Sequence, residues 1–228
     1  MPPNCLLYYI TDRTAFADDE PTRRRLLLEK IREATLAGVD YIQLREKDLS
    51  SRDLESLARD AVRVIREALP TGHYPLSTAL LVNSRTDVTL AVEADGVHLR
   101  SNDVSPEEVR AIWQNQCGHG PLARANSPQY PLIGVSCHSP AEVSQAANEK
   151  ADFAVFGPVF GKDNSEKSAT GLTLLHEACQ ANIPVLALGG VTLENARSCL
   201  AAGAAGIAGI RLFQESEIAA VVKQLRSE

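Results

Sequence analysis

Several protein classes are excluded by what the sequence lacks. Its five cysteines, at positions 5, 117, 137, 179 and 199, are odd in number, widely spaced and form no C-x-x-C pair. A disulfide frame or a zinc site needs paired or clustered sulfur, so reduced thiols are expected instead. No apolar run approaches the ~18 residues of a membrane span, and no charged-then-apolar leader opens the chain. Positive charge is short as well: 23 Lys and Arg face 29 Asp and Glu, for a net charge of −6. Binding a nucleic-acid backbone needs a basic face, so nucleic acid is not expected as a partner. A soluble, cytoplasmic protein is expected, in which a local group of Arg and Lys could still hold a small anion.

What is present is an alternation. Short apolar runs over residues 5–10, 39–43, 79–82, 95–99, 132–135, 152–156, 184–188 and 204–210 read as strands. Between them lie stretches with apolar residues at helical spacing, including 23–36, 50–69, 171–180 and a last helix over 215–226. Pro106 and Pro140 stand where proline suits a first helical turn. Residues 117–130 and 157–170 read as polar surface loops. Eight strands alternating with eight helices is the count of a (β/α)8 TIM barrel, and residues 1–228 are read as one such domain. A weak repeat of small residues recurs where helices hand over to strands, at 36–40, 92–96, 149–152 and 202–206. An open doubly wound sheet should carry a glycine-rich loop after its first strand, and Tyr9-Ile10-Thr11-Asp12 offers none.

Barrel enzymes work at the C-terminal ends of their strands. The most polar of these ends is Gln43-Leu44-Arg45-Glu46-Lys47. At strand spacing Gln43, Arg45 and Lys47 share one side, and two cations with an amide suit a phosphate or pyrophosphate. The competing possibility is a solvated loop in which these charges pair with Glu46 and Asp48. Gly189-Gly190 after the seventh strand and Gly209-Ile210 after the eighth match the phosphate site common in barrels, where backbone N–H groups approach the anion.

Seven pieces in order then resemble the thiamine phosphate synthase and thiazole tautomerase family. They are Tyr9-Ile10-Thr11-Asp12, Gln43-Leu44-Arg45-Glu46-Lys47, Asn83-x-Arg85, Asp95-Gly96-Val97-His98-Leu99, Ile133-Gly134-Val135-Ser136-Cys137-His138-Ser139, Phe156-Gly157-Pro158-Val159-Phe160 and Gly189-Gly190-Val191. The resemblance implies coupling of hydroxymethylpyrimidine pyrophosphate to a thiazole phosphate, or its carboxylate, through a pyrimidine-methyl cation. It implies that Gln43, Arg45, Lys47, Asn83 and Ser136 meet the pyrimidine pyrophosphate. Gly189, Gly190 and the backbone of Gly209 and Ile210 would meet the thiazole phosphate, with Mg2+ assisting departure of pyrophosphate. Small phosphorylated pyrimidine and thiazole substrates are therefore the expected partners, and a homo-oligomer is left open.

The departures from the family pattern bear on the metal. Asn83-Ser84-Arg85 has serine where the family carries a metal-binding aspartate, and serine is a poor substitute on a hard cation. Arg100-Ser101-Asn102-Asp103 retains only the second carboxylate, Asp103, of a Gly-Gln-x-Asp pattern. The loop after strand six lacks the Thr-x-Thr-Lys run, although Lys162 or Lys167 could supply its cation. These losses are also compatible with a tautomerase that needs neither metal nor pyrophosphate and uses His138 as acid and base. A non-catalytic barrel that binds thiamine phosphates as a regulator is a third possibility. His98 is expected to have a structural hydrogen-bonding role.

Overall fold

The computed structural model describes residues 5–16, 19–68, 78–117, 130–161 and 171–227, residues 116 and 117 by their backbone alone. In chain order the elements are β1 (Leu6–Ile10), α1 (Glu20–Ala37), β2 (Tyr41–Leu44), α2 (Ser51–Ala68), β3 (Ala79–Asn83), α3 (Thr86–Val92), β4 (Gly96–Leu99) and α4 (Pro106–Cys117). They continue as β5 (Leu132–Cys137), α5 (Pro140–Asn148), β6 (Phe153–Phe156), α6 (Gly171–Ala178), β7 (Val185–Ala187), α7 (Ala196–Ala201), β8 (Gly206–Gly209), α8 (Arg211–Gln214) and α9 (Ile218–Arg226). All neighbouring strands pair in parallel, and β8 closes on β1, so the sheet is the expected (β/α)8 barrel. Parallel closure puts the C-terminal end of every strand at one mouth.

Local chemistry explains where the boundaries fall. α1 begins three residues before the expected start because Asp19 caps it, accepting from the Thr22 N–H, with Pro21 in the first turn. Gly38 ends it at φ 81°. The helix expected over 215–226 starts only at Ile218, as α9, and the short α8 (Arg211–Gln214) precedes it. Gln214 is drawn inward to accept from the Tyr9 hydroxyl and to donate to the Asp12 carbonyl, and the chain restarts as α9 at Ile218.

Strand alternation sorts side chains between two cores. Leu7, Tyr9, Ile42, Leu44, Val82 and Val97 pack outward under the helices. Tyr8, Ile10, Leu81, Phe153, Val155, Leu186 and Ala208 fill the barrel interior. Phe153 stacks on Tyr41 with ring centroids 4.9 Å apart, and Tyr8 meets Phe153 edge-on at 5.4 Å. Glycine at 134 makes this filling feasible, since a Cβ there would lie 2.5 Å from the Phe153 ring.

The repeat at the barrel bottom works through aspartates as well as through small residues. Asp40, Asp95 and Asp152 precede β2, β4 and β6. Their carboxylates accept from the Leu7, Leu80 and Ile133 N–H groups respectively, each at 2.7 Å. Each ties the start of one strand to the strand before it. The fourth copy, at 202–206, has no aspartate, and the Leu6 N–H donates to the Ala205 carbonyl instead.

Candidate active site

β2 ends at Leu44, so Arg45 and Lys47 stand just past the strand, at the barrel mouth. Alternation continues through this stretch. Gln43 is buried inside the barrel, Arg45 is half-buried and Lys47 is exposed, whereas Glu46 turns outward beneath the first loop. There Arg13 collects the acids. Its Nη1 lies 3.3 Å from Glu46 and 2.7 Å from Asp48, and its Nε lies 2.9 Å from Glu20. The Arg13 N–H and the Thr11 hydroxyl also donate to Glu46. Burial pushes the Glu46 carboxyl up, and these donors and the Arg13 charge oppose that rise.

Glu46 and Asp48 are therefore committed to Arg13. Among the described residues neither Arg45 nor Lys47 has an ion-pair partner, which disfavours a self-paired loop. The Arg45 charge, burial and the Arg100 charge together hold the Lys47 pKa below its usual value. Mutual repulsion of this kind marks a site that an anion would relieve.

Beneath the cations lies a polar chain inside the barrel. The Gln43 amide sits against the Tyr8 hydroxyl. That hydroxyl is 3.1 Å from His98 Nδ1, and His98 Nε2 is 2.8 Å from Ser136 Oγ. Burial, aided by the Arg45 charge and opposed by Asp103, lowers the His98 pKa to about 3, so its imidazole is neutral near pH 7. It acts as a structural link that fixes Ser136. Tyr8 belongs to no functional motif in the sequence. The signal available was the pair Tyr8-Tyr9, which alternation must send to opposite faces and whose hydroxyls each need a partner.

Asn83 lies beside His98 in the β3–β4 register and donates to the Ser84 hydroxyl at 3.2 Å. Ser84 itself adopts φ 56°, a left-handed conformation uncommon for serine and frequent at functional turns. Arg85 is drawn away from the mouth toward Asp87 and Ser51.

His138 is exposed at the end of β5, its Nδ1 2.5 Å from the Gly157 carbonyl oxygen. A carbonyl can only accept, so Nδ1 carries a proton and Nε2 is the ring nitrogen left to face a ligand. Gly189 and Gly190 have φ 94° and 62°. A Cβ on Gly190 would fall 2.8 Å from Phe160 Cβ and 2.9 Å from its carbonyl oxygen. Among the described residues the Gly190 and Val191 N–H groups donate to no carbonyl, which leaves two backbone donors at the mouth. Ile210 follows β8 at the same end and leads into α8. Lys162 and Lys167 lie outside the described residues.

A cavity of about 100 Å³ beside the mouth is lined by Arg100, Asp103, Ser136 and Glu142 among others. A broader depression of about 630 Å³ lies on the outer surface along α2, lined by Arg59, Arg63, Arg66 and Glu93. It lies at the C-terminal ends of α2 and α3, toward the barrel bottom, and no strand residue lines it. The mouth is the better candidate.

The expected Mg2+ ligand, Asp103, faces Arg100 at 2.8 Å. The Ser84 hydroxyl accepts from the same guanidinium at 3.1 Å. Among the described residues no group of three His, Cys, Asp or Glu could hold a metal ion. One engaged carboxylate and a serine are a poor donor set for a hard dication that favours several oxygen ligands.

The cations, the polar chain and the glycine turns gathered at one mouth define a barrel with a single candidate site among the described residues, and comparison with known proteins gives its class. The family model for thiamine monophosphate synthase matches residues 7–213, and the chain belongs to that family. It is 37% identical over 211 residues to "Putative thiamine-phosphate synthase 2" of Aquifex aeolicus, covering 92% of this chain and 97% of the relative. Identity to the Roseiflexus castenholzii thiamine-phosphate synthase is 35% over 208 residues, covering 90% and 79% of the two chains. The solved thiamine phosphate pyrophosphorylase of Pyrococcus furiosus superposes with a TM-score of 0.73 at 30% identity, over 97% of this chain and 93% of that one.

Proposed function

We propose that this chain is a thiamine phosphate synthase, joining hydroxymethylpyrimidine pyrophosphate to a thiazole phosphate or its carboxylate and releasing pyrophosphate, together with CO2 when the carboxylate is the partner. The carrying observation is that Arg45 and Lys47 have no ion-pair partner among the described residues, while Arg13 occupies the neighbouring acids. Breaking the pyrimidine-methyl C–O bond sends its electron pair out on pyrophosphate, and the thiazole nitrogen supplies the pair for the new C–N bond. Leaving-group charge is where fixed cations contribute most, so Arg45 and Lys47 bind and stabilise the departing pyrophosphate. Gln43, Asn83 and Ser136 orient the pyrimidine, with Ser136 fixed by His98. The Gly190 N–H and the backbone at Gly189, Gly209 and Ile210 hold the thiazole phosphate, with Lys162 or Lys167 as the loop cation. The donor set does not fit Mg2+, and no step is routed through it.

A second reading, thiazole tautomerase, is favoured by His138. Its Nδ1–H is fixed on the Gly157 carbonyl, which leaves Nε2 able to take a proton from the thiazole ring and return it. One assay separates the two. The protein is given both substrates, with and without Mg2+, and thiamine phosphate is followed beside isomerisation of the thiazole carboxylate alone. Thiamine phosphate formed only with both substrates supports the synthase. Isomerisation without the pyrimidine and no coupling would replace it with the tautomerase. Binding of thiamine phosphate with neither activity would leave the regulator.

A further inference from the structure

Arg100 lies at the end of the fourth strand with no role assigned to it from the sequence, yet it bridges two other residues at the mouth. Its backbone N–H donates to Asp103 Oδ2 at 2.8 Å, and its Nη2 and Nε donate to Asp103 Oδ1 at 2.8 and 3.2 Å. The same Nε reaches Ser84 Oγ at 3.1 Å. The Ser84 hydroxyl and the Asp103 carboxylate are also hydrogen-bonded to each other, so the guanidinium caps a pair of oxygens that a metal ion would otherwise need. Two observations indicate that it does more than satisfy Asp103. First, its side chain is 56% exposed against 12% for Asp103, so the guanidinium stays accessible to a ligand while it is held by the carboxylate. Among the described residues its Nη1 donates to nothing, and a guanidinium has five donors to distribute. Second, its charge reaches Lys47, so Arg45, Lys47 and Arg100 form one cationic group for which Asp103 is the nearest counter-charge in these contacts.

We propose that Arg100 is a resident diphosphate-binding cation standing in the position a divalent metal would take, so that a diphosphate binds this chain without metal. The guanidinium fork matches phosphate oxygens in pairs, and Asp103 with Ser84 orients it as second-rank partners orient a ligand. Arg100 is then a binding residue for the substrate diphosphate, and Asp103 a positioning residue acting through it. This assignment rests on the mouth being a diphosphate site, and the experiment separates the two claims.

The full chain is titrated calorimetrically with inorganic pyrophosphate, in EDTA and again in excess Mg2+. Wild type is expected to bind in EDTA, and Arg100→Gln to bind at least about tenfold more weakly there, the loss expected for a charge-assisted contact. The pair Ser84→Asp with Arg100→Gly is expected to invert the dependence, binding in Mg2+ and weakly in EDTA. Unchanged circular dichroism checks the fold, which an exposed side chain should not disturb. Wild-type binding that requires Mg2+, or Arg100→Gln equal to wild type in EDTA, overturns the proposal. If Arg45→Gln weakens binding while Arg100→Gln does not, the diphosphate site stands and only the role of Arg100 falls. If wild type binds no pyrophosphate under either condition, both fall.

Discussion

Arg13 Nη1 lies 3.3 Å from Glu46 Oε2, and both side chains are almost wholly buried under the first loop. The pair does two things at once. It pins the turn after β2, and it removes from the mouth an acid that stands between Arg45 and Lys47 in sequence. The cationic site depends on an ion pair that faces away from it.

Removing one partner of such a pair leaves the other charge buried and alone. Arg13→Gln is therefore expected to lower unfolding free energy by about 3 kcal/mol or more, read by urea denaturation. Turnover measured well below the unfolding midpoint should fall as well, because Asp48 becomes able to reach the mouth cations. A variant as stable as wild type would show that Glu46 is satisfied without Arg13.

Arg45→Gln should reduce thiamine phosphate formation by roughly 100-fold, the size expected when a group stabilising transition-state charge is lost. Isomerisation of the thiazole carboxylate, which releases no pyrophosphate, should change little. Equal loss in both assays would mean that Arg45 supports the mouth structurally.

His138→Ala gives the complementary result. Tautomerisation should drop by about 10² to 10⁴, the span of general acid–base catalysis, with coupling of the already aromatic thiazole phosphate nearly intact. Full activity in both assays would remove His138 from the mechanism.

Stability should also carry a pH signature from His98. Its pKa is lowered to about 3 when folded, against about 6.5 when unfolded. Between those values the unfolded chain binds the extra proton, so the contribution is fully present above pH 6.5 and lost progressively as pH falls toward 3. The slope from this one group approaches about 1.4 kcal/mol per pH unit. Denaturation at pH 7.5 and 5 should show it in wild type, and His98→Gln should show a smaller difference between the two. Identical pH dependence in both proteins would contradict a neutral buried His98.

At Gly190 the backbone is left-handed and Phe160 leaves no room for a methyl group. Gly190→Ala should raise KM for the thiazole phosphate by tenfold or more and leave pyrophosphate binding near its wild-type value. An unchanged KM would move the thiazole phosphate elsewhere.

Much of this protein is determined locally and was legible in the order of its residues. Strand-length apolar runs alternating with helical spacing dictate the closed barrel, and closure brings Gln43, Arg45, Lys47, Asn83, Ser136, His138 and Gly190 to one end because all eight strands run the same way. Cap residues shifted boundaries without altering that outcome. What the sequence could not decide was which charge answers which. Glu46 and Asp48 adjoin Arg45 and Lys47 in the chain, yet their partner is Arg13, some 33 and 35 residues away. Likewise, Ser84 and Asp103 meet on Arg100 only because β3 and β4 are neighbours. Ion pairs form between groups near in space, and one side chain can satisfy only a few partners at once. The tertiary structure alone decided that Arg45 and Lys47 have no ion-pair partner among the described residues, and that Arg100 engages Asp103, the carboxylate expected on Mg2+.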